Sequence, residues 1–171
     1  MKKSVLIACL LMATPALAQD GGPFRATLTG YEEVPSVHTV AGGEFEARVN
    51  GANVDYTLTY SGLQAPVTMA HIHFAQKGVN GSIMVWLCGT ATNPGPAGTP
   101  ACPGTGGTVS GTFTSGNILA SSTATQQFPA GDLEALIDAM LAGSGYVNVH
   151  SNASPGGEIR GQVSARGLSG R

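Results

Sequence analysis

The chain has 171 residues, only 11% of them charged, with eight lysines and arginines against ten aspartates and glutamates. That slight excess of acid argues against a nucleic-acid-binding protein and against attraction to anionic membrane surfaces. Its length suits one domain with a proper hydrophobic core.

The first element in chain order is a targeting segment. Lys2 and Lys3 precede an apolar run from Val5 to Met12, and Ala16-Leu17-Ala18 gives a small-x-small cleavage pattern, so residues 1–18 read as a secretory signal peptide. The run is well short of the ~20 residues that span a bilayer. Leu6-Ile7-Ala8-Cys9 has the form of a lipobox but sits too early, before the apolar run is complete. Cleavage after Ala18 leaves residues 19–171 as a single domain, with six basic residues facing ten acidic ones. The expected location is periplasmic or secreted. Cys9 leaves with the signal, so Cys88 and Cys102 remain of the three cysteines. In an oxidising compartment an even pair suggests one disulfide, the alternative being two free thiols.

Alternation dominates the rest of the chain. Phe45, Ala47 and Val49 alternate with Glu44, Glu46 and Arg48; Asn50-Gly51 signals a turn; then Val54, Tyr56, Leu58 and Tyr60 alternate with Asp55, Thr57 and Thr59. This predicts a hairpin with one buried face. "VTMAHIHF" and "GSIMVWLC" read as two further strands, "GTVSGTFT" as another, and "YVNVHS" and "GEIRGQVS" as the last two. The Pro- and Gly-rich stretch from Gly89 to Gly107 is a surface loop, which a Cys88–Cys102 bridge would tether with ~3 kcal/mol of chain-entropy stabilisation. One helix stands out: Leu133, Leu136, Ile137, Met140 and Leu141 share a helical face, Asp132 and Glu134 lie at its positive end, and Gly143 can stop it. Many short strands with Gly/Pro turns and one short helix predict an all-β fold, an antiparallel β-sandwich.

The candidate site is built from histidines. In a strand, residues i and i+2 share a face, so His71 and His73 point together while Ile72 points into the core. The pattern puts the two imidazoles on the outer or end surface. In "YVNVHS", Val147 and Val149 form the apolar face and Tyr146, Asn148 and His150 the other, so His150 can join the pair if the strands are near neighbours. His38 is either a fourth ligand or an exposed residue. The functional reading is one metal held by imidazoles; the bland one is three hydrogen-bonding surface histidines. Three imidazoles with an open position suit copper as Cu(II), with zinc as the alternative. No G-x-S-x-G, H-E-x-x-H or phosphate-binding glycine loop is present, and no catalytic constellation emerges. Adjacent Glu32 and Glu33 would face opposite ways in a strand, a poor pair for carboxylate catalysis. Glu158 and Arg160 share a strand face after the Pro155-Gly156-Gly157 turn, which reads as a surface ion pair with another strand.

These residues also carry a family resemblance. "AHIHFAQKGVNG" and "YVNVHSNASPGGEIRGQV" resemble the two signature blocks of the CHRD (chordin) domain, and "LTGYEEVPSVHTVAGGEFEARV" resembles its opening strand pair. The resemblance spans about residues 24–164. It implies an exported single domain with a Greek-key-like sandwich similar to that of the copper–zinc superoxide dismutases. His71, His73 and His150 match the recurrent family histidines; His38 matches none. The bridging histidine and the His/Asp zinc cluster of the dismutases have no counterpart here, so the resemblance leaves copper binding open without carrying dismutase activity over. By analogy with chordin it equally implies a metal-free extracellular module that binds another protein or the cell surface.

Overall fold

The alternating stretch becomes a hairpin of two nine-residue strands, β2 (Gly42–Asn50) and β3 (Asn53–Ser61), in the computed structural model, which describes residues 23–165. Asn50 pairs with Asn53, and Gly51 takes the positive φ of +62° that the two-residue turn needs. Phe45, Ala47, Val54, Tyr56, Leu58 and Tyr60 are buried as the alternation requires. The segment read as a signal peptide lies outside the described residues.

The other strands are β1 (Phe24–Thr29), β4 (Val67–Phe74), β5 (Ser82–Cys88), β6 (Gly107–Thr114), β7 (Gly145–Ser151), β8 (Ile159–Gln162) and the two-residue β9 (Ser164–Ala165). All pair antiparallel in the order β5-β4-β7-β8-β1-β2-β3-β6, with β9 on β1. The β8–β1 junction is a single bridging pair, Thr29 with Arg160. There the sheet turns, and the end strands β5 and β6 come back into contact. The result is a nearly closed antiparallel sandwich: β5, β4, β7 and β8 form one layer and β1, β2, β3 and β6 the other. Chain crossings at β3–β4, β5–β6 and β6–β7 give the Greek-key character.

Between the layers Phe45, Tyr56 and Phe113 pack ring against ring, with Ile72, Met84, Leu87 and Val147 wholly enclosed. Tyr56 also spans the core, its hydroxyl donating to the carbonyl of Leu87 on the opposite layer. A phenol that deep is tolerated because its proton has a partner. The helix α1 (Leu133–Leu141) is capped by the Asp132 carboxylate, which accepts from the Ala135 amide at 2.9 Å. It buries Leu136, Ala139 and Met140 but leaves Leu141 40% exposed, and Gly143 ends it at φ +69°. Cys88 and Cys102 form a disulfide.

One expectation is overturned. Glu158 and Arg160 do not form a surface ion pair with another strand: both are buried, Glu158 just before β8 and Arg160 within it. The Glu158 carboxylate accepts from the Thr39 hydroxyl, the Gln64 amide and the Ser151 hydroxyl. Arg160 donates to Asn80 Oδ1 at 3.1 Å and to the Val79 carbonyl at 2.8 Å. A buried charge must find partners, and these two find them separately, among loops that the local pattern of "GEIRGQ" does not reveal.

Candidate metal centre

The β4–β7 register assembles the site. Ala70 pairs with Val149 and Ile72 with Val147, and these four side chains enter the core. The alternate pairs, Met69 with His150, His71 with Asn148, and His73 with Tyr146, occupy the other face. β8 extends that face with Arg160 opposite Asn148 and Gln162 opposite Tyr146, and β5 sets Trp86 against His71. Ile72 is in the core as the sequence predicts. The histidines, expected at the surface, are buried: His71 is 0% exposed, His73 7% and His150 6%. Loops cover this second face. Residues 75–81 reach His73, residues 152–158 reach His150, and Glu33 lies over Asn148.

The three rings converge. His71 lies 5.4 Å from His73 and 5.1 Å from His150, centroid to centroid. One nitrogen from each can be chosen so that all lie within 4.8 Å of one another. Nitrogens bound ~2.0–2.1 Å from one ion stand ~3–4 Å apart, so a small inward lean of the rings would complete a site. No other group of three or more metal-ligating side chains occurs among the described residues. His38 is elsewhere: it is exposed, and its Nδ1 pairs with the Tyr31 hydroxyl at 2.9 Å.

Backbone carbonyls set the tautomers. His73 Nδ1 lies 3.0 Å from the Gly81 carbonyl and His150 Nδ1 lies 2.9 Å from the Pro155 carbonyl. A carbonyl can only accept, so in each ring Nδ1 carries the proton and Nε2 keeps its lone pair. Among the described residues those Nε2 atoms are buried with no hydrogen-bond partner, and neither nitrogen of His71 has one. Buried polar atoms are nearly always partnered, so several orphans at one spot fit a metal ion. Holding the outer nitrogen of a ligand histidine on a carbonyl is also what orients such a ring.

The electrostatics agree. Burial, aided by His150 and His73, pushes the His71 imidazole down to about 2. His73 is pushed down to about 4, by burial first, with the Gly81 carbonyl opposing. Burial lowers His150 as well, against its bond to Pro155. All three are therefore neutral, the state a ligand needs.

Four residues frame the site that the histidine pattern alone does not single out: Tyr146, Arg160, Trp86 and Glu33. The Tyr146 ring stacks on His73, and the Arg160 guanidinium lies 3.4 Å over the centroid of that same ring. Trp86 meets His71 edge-on at 4.3 Å. Glu33, accepting from Asn148 Nδ2, has its carboxyl pushed up to about 7 by burial, with Arg160 and Asn148 opposing. Tyr146 was legible as a member of the polar face of β7. Trp86 had a weaker signal, as the only tryptophan of the chain in a strand adjacent in sequence.

Compared with known proteins, the chain matches the family model of the CHRD domain over residues 24–163. No curated protein and no solved structure matches it.

Proposed function

The chain belongs to the CHRD domain family, and on that premise we propose that it is an exported module that holds one copper ion between His71, His73 and His150. The observation that carries this reading is the set of unpartnered ring nitrogens: Nε2 of His73 and His150, and both nitrogens of His71. Histidines buried only to form hydrogen bonds would not leave these nitrogens empty. Copper is preferred to zinc because it stands above zinc in the affinity order for nitrogen donors. The disulfide suits an oxidising compartment outside the cytoplasm, and among the described residues no helix is long and apolar enough to cross a membrane.

The test is calorimetric titration of metal-stripped protein with Cu(II) and Zn(II). Wild type binds one copper, more tightly than zinc. His150→Ala weakens binding about as much as His71→Ala, since both are ligands of one ion, and His38→Ala leaves it unchanged. Bound copper raises the melting temperature, because it binds the folded site and scarcely the unfolded chain. Absence of copper binding by wild type would return the protein to the metal-free interaction module that the chordin analogy implies.

A further inference from the structure

Met69 stands on the same face as the histidines. β4 carries it two positions before His71, and the β4–β7 register sets it opposite His150. An irregularity between Val67 and Met69 lets Val67 enter the core while Met69, His71 and His73 stay on the other side. Directly opposed residues of an antiparallel pair have Cβ atoms ~4.5–5.5 Å apart, so Met69 flanks two of the three histidines. It is partly buried, whereas Met84 and Met140 are sealed in the core. Its unbranched side chain can adjust to bring the sulfur to a neighbouring centre.

We propose that the Met69 thioether is the fourth donor of the site, and that the completed set of three imidazoles and one thioether selects Cu(I) over Cu(II) and Zn(II). The proposal rests on the copper reading and specifies its oxidation state. Donor softness is one argument: thioether sulfur selects Cu(I). Charge is the second. The ligand cluster contains no carboxylate, so the ion's charge is not neutralised by its ligands. Arg160 is stacked on Tyr146, the ring that itself stacks on His73, so a fixed cation stands near the site. Burial penalises a double charge more than a single one, and a nearby cation adds to that difference. Glu33 offsets part of the Arg160 field, yet it is not a member of the cluster.

The experiment measures Cu(I) affinity anaerobically, by competition with a chromophoric Cu(I) chelator, for wild type, Met69→Leu and His150→Ala. Cu(II) affinity is measured alongside, and the copper X-ray absorption spectrum is recorded for Cu(I)-loaded wild type. Loss of an outer-sphere partner alone costs a site ~10–100-fold, so loss of a ligand should cost at least as much. Met69→Leu is therefore expected to weaken Cu(I) binding at least ~10-fold while changing Cu(II) binding much less. The wild-type spectrum is expected to show one sulfur neighbour, which does not depend on the variant folding. Equal Cu(I) affinities for wild type and Met69→Leu, or no sulfur neighbour in wild type, would overturn the Met69 proposal. Absence of binding of either copper state by wild type, or an unchanged affinity in His150→Ala, would instead overturn the copper reading beneath it.

Discussion

The Tyr146 ring lies parallel to the His73 imidazole, 4.6 Å between centroids and 3° between planes. The two are cross-strand partners, and Gly81 ties them again: its carbonyl accepts from His73 Nδ1 and its amide donates to the Tyr146 hydroxyl at 3.2 Å. Tyr146 therefore fixes His73 twice, by stacking and by holding the residue whose carbonyl holds the ring. Tyr146→Phe keeps the stack and loses one hydrogen bond, an expected ~0.5–1.5 kcal/mol of stability. Tyr146→Ala loses the packing too, an expected ~3–5 kcal/mol on the scale of buried aromatic truncations. Urea denaturation of the metal-free proteins gives both numbers. Equal costs for the two variants would mean that the stack contributes nothing.

The pH dependence of the metal-free protein arises from the same burial. In the unfolded chain the histidines titrate near their ordinary value of ~6.5. In the folded chain His71 and His73 are held down to about 2 and about 4, and His150 is lowered too. Below ~6.5 the unfolded chain takes up protons that the folded chain refuses, so stability is lost as the pH falls toward about 4. Glu33 has the opposite sign: with its carboxyl raised to about 7, its contribution is full below its ordinary 4.5 and is lost as the pH rises through about 7. Three histidines outweigh one carboxylate. The urea midpoint should fall steadily between about pH 7 and pH 5, and more steeply in Glu33→Gln, where the opposing group is gone. A midpoint that rose over that interval in wild type would contradict the burial of the histidines.

Short-range pattern made much of this legible. Period-two alternation located the β2–β3 hairpin and put Ile72 in the core, helical spacing located α1, and the cysteine count paired Cys88 with Cys102. It also put His71, His73 and His150 on a common type of face. It failed on what lies over that face. Alternation distinguishes an apolar side from a polar one and assigns the polar side to water. In β4, β7 and β8 the polar side is roofed by loops that contribute Glu33, Gly81 and Pro155, and no local pattern announces a roof. The same blindness made Glu158 and Arg160 look like a surface ion pair.

The Pro- and Gly-rich loop has a structural duty that its composition hides. Gly95 sits at φ +68°, and a Cβ there would come within 2.7 Å of the Trp86 ring. Trp86 in turn lies against His71. The loop thus backs the ring that backs His71, and the Cys88–Cys102 bridge tethers it. Gly95→Val must move Trp86 or the loop, since the residue is both crowded and in a conformation L side chains rarely adopt. The only tryptophan of the chain reports on this directly. Copper should quench its fluorescence in wild type, and Gly95→Val should shift the emission maximum of the metal-free protein and weaken the quenching. Cys88→Ser/Cys102→Ser should do the same more mildly, with a stability loss of ~3 kcal/mol. An unaltered emission spectrum in Gly95→Val would show that the loop does not support Trp86.

His71 gives the sharpest contrast between stability and binding. It is wholly enclosed, and neither of its ring nitrogens has a partner among the described residues. An unsatisfied buried polar group costs ~1–3 kcal/mol, a cost the metal-free fold bears only if something else uses those atoms. His71→Leu keeps an apolar side chain of similar bulk against Trp86 and removes both nitrogens. In metal-stripped protein it should therefore raise stability by ~1–3 kcal/mol, read from urea midpoints. With copper at ~1,000 times its dissociation constant, wild type gains ~4 kcal/mol by mass action and a variant that has lost the ion gains nothing. The ranking of the two proteins should then reverse: His71→Leu the more stable without metal, wild type the more stable with it. If His71→Leu instead costs the stripped protein several kcal/mol, as an ordinary core deletion does, the histidine is there to pack and not to bind.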